Sequence, residues 1–356
     1  MMFRDTWAEI DLDRIKHNVS VIKNYTDYDK LYAVVKANGY GHGDLEVAEA
    51  ALSAGATHLA VAFLDEALRL RKYFTAPILV LGYTSEDYFD LASENDISLT
   101  IIDDIDYDGF LNVQLKIDTG MNRIGFRDTN EIKEIIKKIN KSKNLNLEGI
   151  YTHLATAGSD DVYYENQVAK LNELDLDKNL IHVNNSAGML AYRNFFTAGR
   201  LGIAMYGLSP YEGKLPVELK QAFSLYSRVT NVKKINKGES VGYGTTFTAT
   251  MDSFIATIPI GYADGFLRYH KGRSVEINNK QYKIVGNVCM DQLMILVDDT
   301  IKKNDIVALI NDNITVDMLA IDLNTINYEI VCSISDRVPR VYKKNGEVIK
   351  MNNYRF

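Results

Sequence analysis

The chain has 356 residues, 46% hydrophobic and 24% charged, an ordinary globular composition that excludes disordered, collagen-like and low-complexity readings. Forty-seven acidic residues against 40 basic ones leave a net charge of −7, which argues against a nucleic-acid partner. At roughly 100–200 residues per domain, the length is that of two domains. The apolar runs are short, as at 77–81, so no membrane partner or span is expected, and Arg4 and Asp5 interrupt any apolar leader. Cys289 and Cys332 are far apart and lack metal spacing. No metal site is expected, and a reducing cytoplasmic setting fits two isolated cysteines.

In chain order, a helical pattern over 13–25 comes first. Strands are then predicted at 31–35, 59–62, 78–82, 98–102, 113–117, 147–151, 180–183 and 200–206. Helical patterns at 45–54, 65–73, 131–140 and 163–174 are the clearest between them. Short apolar runs alternating with helices are the signature of a parallel sheet. Eight such units predict an α/β fold, a TIM-like (β/α) barrel with its site at the C-terminal ends of the strands. One unit is cut short, because only ten residues, 103–112, join the fourth and fifth strands. That is too few for a full crossover helix.

From about Pro216 the texture changes. Segments at 223–235, 254–260, 274–277, 283–285, 293–297, 305–310 and 337–342 are short, rich in β-branched and aromatic residues, and punctuated by Gly, Asn and Asp. They predict a mainly-β C-terminal domain. The expected division is residues 10–216 for the barrel and 217–356 for the β domain.

The first barrel strand runs straight into Lys36-Ala37-Asn38-Gly39-Tyr40-Gly41-His42-Gly43. A lysine there stands at the barrel mouth, where burial can lower its pKa and expose a neutral amine able to condense with an aldehyde. The glycines allow tight turns and close approach to an anion. Taken alone, the same pattern also describes a snorkelling lysine before a flexible loop.

The stretch from Ala33 to Gly43 resembles the pyridoxal-phosphate attachment site of alanine racemases. The resemblance continues in order through Lys116-Ile117-Asp118-Thr119-Gly120-Met121-Asn122-Arg123, Thr152-His153-Leu154-Ala155, and His182 with Asn185-Ser186-Ala187. Arg200-Leu201-Gly202-Ile203, Gly242-Tyr243-Gly244, Gly261-Tyr262-Ala263-Asp264-Gly265, Val288-Cys289-Met290-Asp291-Gln292 and Asn327-Tyr328-Glu329 follow. Each block is weak alone; their shared order and spacing are not. The family fold is an eight-stranded barrel followed by a β domain, with the N-terminal strand, here residues 1–9, belonging to the latter.

The resemblance implies pyridoxal 5'-phosphate as cofactor and a two-base racemisation of alanine, which needs one base on each face of the cofactor. Lys36 would hold the cofactor and serve one face. Tyr243 of the partner subunit in a homodimer would serve the other, with His153 and Arg200 as positive neighbours that lower its pKa. Arg200 would face the ring nitrogen, to which a guanidinium can only donate, and His182 would support it. Tyr40, Asn185, Ser186, Gly202, Ile203 and Tyr328 match the cofactor and phosphate positions. Ser186 also reads as an N-cap of the helix that follows. Arg123 and the Met290 backbone amide would hold the substrate carboxylate, and Lys116 matches a lysine that is sometimes carbamylated. The family role is supply of D-alanine for peptidoglycan.

Two departures concern the substrate entrance, where Tyr262 and Arg268 are also implied. Gly158 stands where many members have aspartate, and Asn287 where many have arginine. A racemase of another small amino acid, serine above all, is therefore the main alternative. A basic-amino-acid decarboxylase would lack Tyr243 in this context. A single-domain cofactor-holding barrel would lack the β domain.

Overall fold

In the computed structural model, residues 3–192, 196 and 198–354 are described. Among them the chain forms two compact units. One contains the residues up to Asp13 and from Gln221 onward, the other Arg14–Lys220.

The strand β1, Thr6–Asp11, belongs to the first unit. The second holds eight parallel strands: β2 (Lys30–Val34), β3 (His58–Val61), β4 (Ile78–Val80), β5 (Ile97–Ile101), β6 (Leu111–Lys116), β7 (Leu145–Tyr151), β8 (Ile181–His182) and β9 (Ala198–Leu201). They pair in chain order, and β9 closes on β2 to complete the barrel. The expected (β/α) barrel is therefore present. β4, β5 and β6 are buried along their whole length, as strands covered on both faces must be. Helices Asp44–Ser53, Leu64–Arg71, Thr129–Lys141 and Asp161–Asn172 fall where the patterns predicted them. Two short helices, Phe89–Glu94 and Ser186–Ala191, lie below the length at which periodicity becomes readable. No helix forms between β5 and β6, and these parallel neighbours pair directly, Leu99 opposite Val113.

In the first unit, β10 (Phe223–Arg228), β11 (Asn231–Ile235), β12 (Ser253–Ile258), β13 (Ser274–Ile277), β14 (Lys280–Val285), β15 (Leu293–Val297), β16 (Ile306–Ile310), β17 (Arg340–Lys344) and β18 (Glu347–Asn352) join β1 in one sheet. The single strand predicted over 223–235 is two, β10 and β11, broken after Arg228. β1 lies between β10, antiparallel, and β17, parallel. Buried Asp264 anchors the N-terminal segment, since Arg4 donates to both of its oxygens at 2.7 and 3.1 Å. A buried carboxylate needs such a partner.

Candidate active site

Lys36 follows the end of β2, Lys116 ends β6, His153 lies just beyond β7, His182 ends β8, and Arg200 is inside β9. In a parallel barrel these C-terminal ends share one mouth. Tyr40, Arg123, Asn185, Ser186, Gly202 and Ile203 lie in the segments that follow β2, β6, β8 and β9, so the barrel's candidate residues are brought to the same end.

The segment after Lys36 is a left-handed turn. Ala37, Asn38, Gly39 and Tyr40 have φ of 53°, 53°, 60° and 52°. Each non-glycine residue in that region costs roughly 1–2 kcal/mol, so the turn must be held from outside. Glu66 does much of this. One of its oxygens accepts from the Ala37 N–H at 2.6 Å, and the other from the N–H of Ala62 and Phe63 at 2.7 and 3.2 Å. The Asn38 side chain accepts from the Asp44 N–H, and Asp44 in turn pairs with Arg69 at 2.9 Å. The result fixes Tyr40, whose ring stacks on Tyr206 at 4.8 Å.

Below the mouth the barrel interior is a polar layer. Arg200 is almost fully buried. One terminal nitrogen donates to His182 Nδ1 at 2.8 Å and to the His182 carbonyl at 3.0 Å; the other donates to the carbonyls of Thr152 and Val183 at 2.7 and 3.0 Å. Both terminal nitrogens are thus saturated, and Nε–H makes no hydrogen bond among the described residues. A guanidinium cannot accept, so His182 Nδ1 must be the bare nitrogen. Nε2 then carries the proton and donates to Gln114 Oε1 at 2.7 Å, while Gln114 Nε2 donates to Tyr32 Oη at 3.3 Å. The His182 ring lies between Tyr32 and Tyr151, with centroids 4.9 and 4.8 Å away. Arg200 and Lys116 each sit 5.1 Å from the Tyr151 ring centre.

This layer controls charge. Burial, with Arg200 and Arg123 adding to it, pulls the Lys116 pKa down to about 7. Burial lowers that of Arg200 to about 10, which leaves it cationic at neutral pH. Burial also drives His153 and His182 well below the ordinary histidine value, with Arg200 the next cause for both. The expectation that His153 acts as a positive neighbour is therefore corrected: an enclosed imidazole among cations gives up its proton.

A second correction concerns Ser186. The helix N-cap is Asn185, whose Oδ1 accepts from the Gly188 N–H at 3.0 Å. Ser186 Oγ instead accepts from the Gly202 N–H at 2.9 Å. A Cβ at Gly202 would come within 2.9 Å of Tyr40 Oη and 3.7 Å of Ser186 Oγ. Tyr40, Ser186 and the start of the turn Ile203–Tyr206 therefore converge on a cradle that only glycine leaves open. A hydroxyl pair beside a bare glycine backbone suits an oxyanion such as phosphate. The unpaired Nε–H of Arg200 suits an aromatic nitrogen. The residues present fit a phosphorylated pyridine.

Arg123 follows a loop shaped by Asp118, whose Oδ1 accepts from the N–H of Gly120 and Asn122, both at 3.0 Å. Its guanidinium makes no ion pair among the described residues. In the β unit, Tyr243 begins a turn, Tyr243–Thr245, and is 77% exposed. Tyr262 and Met290 are brought together. The N–H groups of Tyr262 and Ala263 donate to the carbonyls of Cys289 and Met290, both at 3.0 Å. Arg268 and Tyr328 lie on other segments, Arg268–His270 and Asn327–Ser333. Burial pushes the Tyr328 pKa up to about 12, so its hydroxyl stays protonated and able to donate.

Sequence reasoning missed Tyr32, Gln114 and Tyr151, and gave Thr152 no role of its own. One signal was available. Asn112, Gln114 and Lys116 alternate along β6, a polar face on an otherwise apolar strand.

A (β/α) barrel with lysine, arginine and an anion cradle at its mouth, in a chain that also carries a mainly-β unit, defines a class of two-unit barrel proteins. Comparison with known proteins narrows this. Residues 10–210 match the family described as alanine racemase, N-terminal domain, and residues 222–342 the corresponding C-terminal domain. The chain is 46% identical to an alanine racemase of Anoxybacillus flavithermus, over 99% of this chain and 98% of that protein. The structure of an alanine racemase from Bacillus anthracis with bound L-Ala-P superposes with a TM-score of 0.93, at 41% identity and 99% coverage of both chains. A histidine racemase from Leuconostoc mesenteroides superposes with a TM-score of 0.88, at 31% identity over 97% of this chain and 99% of that one. The chain belongs to the alanine racemase family, a family of isomerases.

Proposed function

We propose that this protein interconverts L-alanine and D-alanine with pyridoxal 5'-phosphate. The observation that carries the reading is the saturation of both terminal nitrogens of Arg200, which leaves Nε–H as the donor for a ring nitrogen. The bound cofactor would supply an electron sink for the pair left when the substrate's α-proton departs. Because Arg200 only donates, the ring nitrogen stays unprotonated and the sink is moderate.

Lys36 Nζ holds and moves a proton on one face of the substrate. Tyr243 Oη of the partner subunit does so on the other. Arg123 binds the substrate carboxylate as a two-pronged donor, assisted by the partner's Met290 through its backbone amide. Lys116 braces Arg123. Tyr40, Asn185, Ser186, Gly202, Ile203 and Tyr328 hold the phosphate end, with His153 beside the ring as a neutral group. The exposure of Tyr243, Tyr262 and Met290 in the isolated chain supports a homodimer, because a second subunit would cover them. Tyr262 and Arg268 then line the entrance. We place the enzyme in the cytoplasm, supplying D-alanine for peptidoglycan.

The kinship with a histidine racemase favours a second reading, a racemase acting on a different or wider set of amino acids. Serine is the other candidate, given Gly158 and Asn287.

The chemistry is tested by proton NMR in D2O, following the α-proton of L-alanine. The holoenzyme is expected to wash it out. Tyr243→Phe should lose most racemisation while still binding the cofactor, and Lys36→Ala should lose both activity and the covalently held cofactor. Full-rate racemisation by Tyr243→Phe would contradict the two-base assignment.

A further inference from the structure

The loop that carries Tyr243 has a rigid neck and a free tip. At the neck, the Val241 N–H donates to the Phe247 carbonyl at 3.0 Å, and the hydroxyls of Ser240 and Thr248 meet at 2.9 Å. Val241 and Ala249 are buried in a small cluster with Ile235, Ile255 and Val285, against which Phe247 and Met294 pack. Across the neck stands Gly286, with φ +71°, where a Cβ would come within 2.7 Å of the Val241 carbonyl. The tip is different. Residues 242–246 are all exposed, and Gly242, Gly244 and Thr245 all have positive φ. Two glycines around one tyrosine leave its backbone many alternatives.

One side chain closes them off. Asn287 Nδ2 donates to the Tyr243 carbonyl at 2.8 Å. The asparagine itself follows Gly286, and its own carbonyl lies 3.5 Å from Cys289 Sγ. It therefore ties the tip to the segment leading into Met290.

We propose that Asn287 is a positioning residue for the racemisation, fixing the Tyr243 backbone so that the phenol is presented in one direction. The proposal rests on the assignment of Tyr243 as a base. A single neutral hydrogen bond biases a loop population by between about threefold and tenfold. Since proton transfer tolerates little misplacement, loss of the bond should appear in turnover rather than in substrate binding.

The test uses the holoenzyme with Asn287→Asp, which keeps the shape and removes the donor, and Asn287→Ala. Both should lower kcat by about threefold to tenfold with KM within about twofold of the parent. Hydrogen–deuterium exchange of the 241–246 peptide should quicken in both, while the melting temperature stays put. In a Tyr243→Phe background, Asn287→Asp should cause no further loss. If Tyr243→Phe is inactive but both Asn287 variants turn over at the parent rate, the positioning role is overturned and the function stands. Equal losses with and without the Tyr243 hydroxyl would likewise overturn it, as would an unchanged exchange rate at 241–246. A fully active Tyr243→Phe would overturn the base assignment and this role with it.

Discussion

Lys116 is the residue whose chemistry depends most on its surroundings. It is buried, its ammonium donates to the Ile117 carbonyl at 3.1 Å, and its proton is lost near pH 7. Below that value the lysine is a cation among cations, opposed by Asp118; above it the amine is neutral and nucleophilic. A neutral amine adds carbon dioxide, forming a carbamate and releasing a proton. The carbamate would give Arg123 an anionic partner. We expect carbon-13 NMR of the enzyme in labelled bicarbonate to show a carbamate signal that grows as pH rises through about 7 and vanishes in Lys116→Ala. A signal that persists in the variant, or none at any pH, would count against it. Lys36 could be singled out from sequence, because a lysine that ends an apolar strand and opens a glycine-rich loop is conspicuous; Arg123 and Arg200 were marked only by the family resemblance. The supports of Arg200 could not be singled out. That Gln114 faces His182, and that His182 is the Nε2–H tautomer, follow from the closure of β6, β8 and β9 around one interior. His153 shows the same limit, since its neutrality comes from enclosure.

At the scale of elements, two turns show how sequence departures are accommodated. Gly158 looks at first like a lost aspartate. Its φ is +79°, and a Cβ there would come within 2.7 Å of the Tyr211 ring. The ring occupies the place a side chain would need, and the Gly158 N–H donates to Tyr192 Oη at 3.2 Å. Gly158→Ala is expected to destabilise the protein by about 1–3 kcal/mol, combining left-handed strain with displacement of a packed ring. Thermal unfolding of this variant and of Gly158→Ala in a Tyr211→Ala background separates the two, because the second should restore part of the loss. An equal loss in both backgrounds would show that the ring does not exclude the side chain. The left-handed turn after Lys36 was legible only as a glycine-rich loop. Its hold comes in part from Glu66, 29 positions beyond Ala37, which no local pattern connects to it.

For the molecule as a whole, the barrel was readable because parallel strands buried on both faces write continuous apolar runs. Seven of the expected barrel strands fall within a few residues of their place. The eighth, predicted over 200–206, is shorter and earlier, because a turn at Ile203–Tyr206 ends it. The missing crossover helix between β5 and β6 was readable from length alone. In the β unit, β18 was missed since its apolar residues, Val348, Ile349 and Met351, do not alternate strictly with polar ones, and helices Val316–Asp322 and Asn327–Ser333 are too short to show a period.

The central claim is alanine racemisation, and chiral chromatography tests it most directly. The holoenzyme would be given L-alanine, L-serine and L-histidine in separate reactions. Equal amounts of L- and D-alanine at equilibrium, reached much faster than any D-serine or D-histidine, are expected. D-serine or D-histidine forming as fast as D-alanine would contradict the alanine assignment, and no D-product from any of the three would contradict the racemase reading itself.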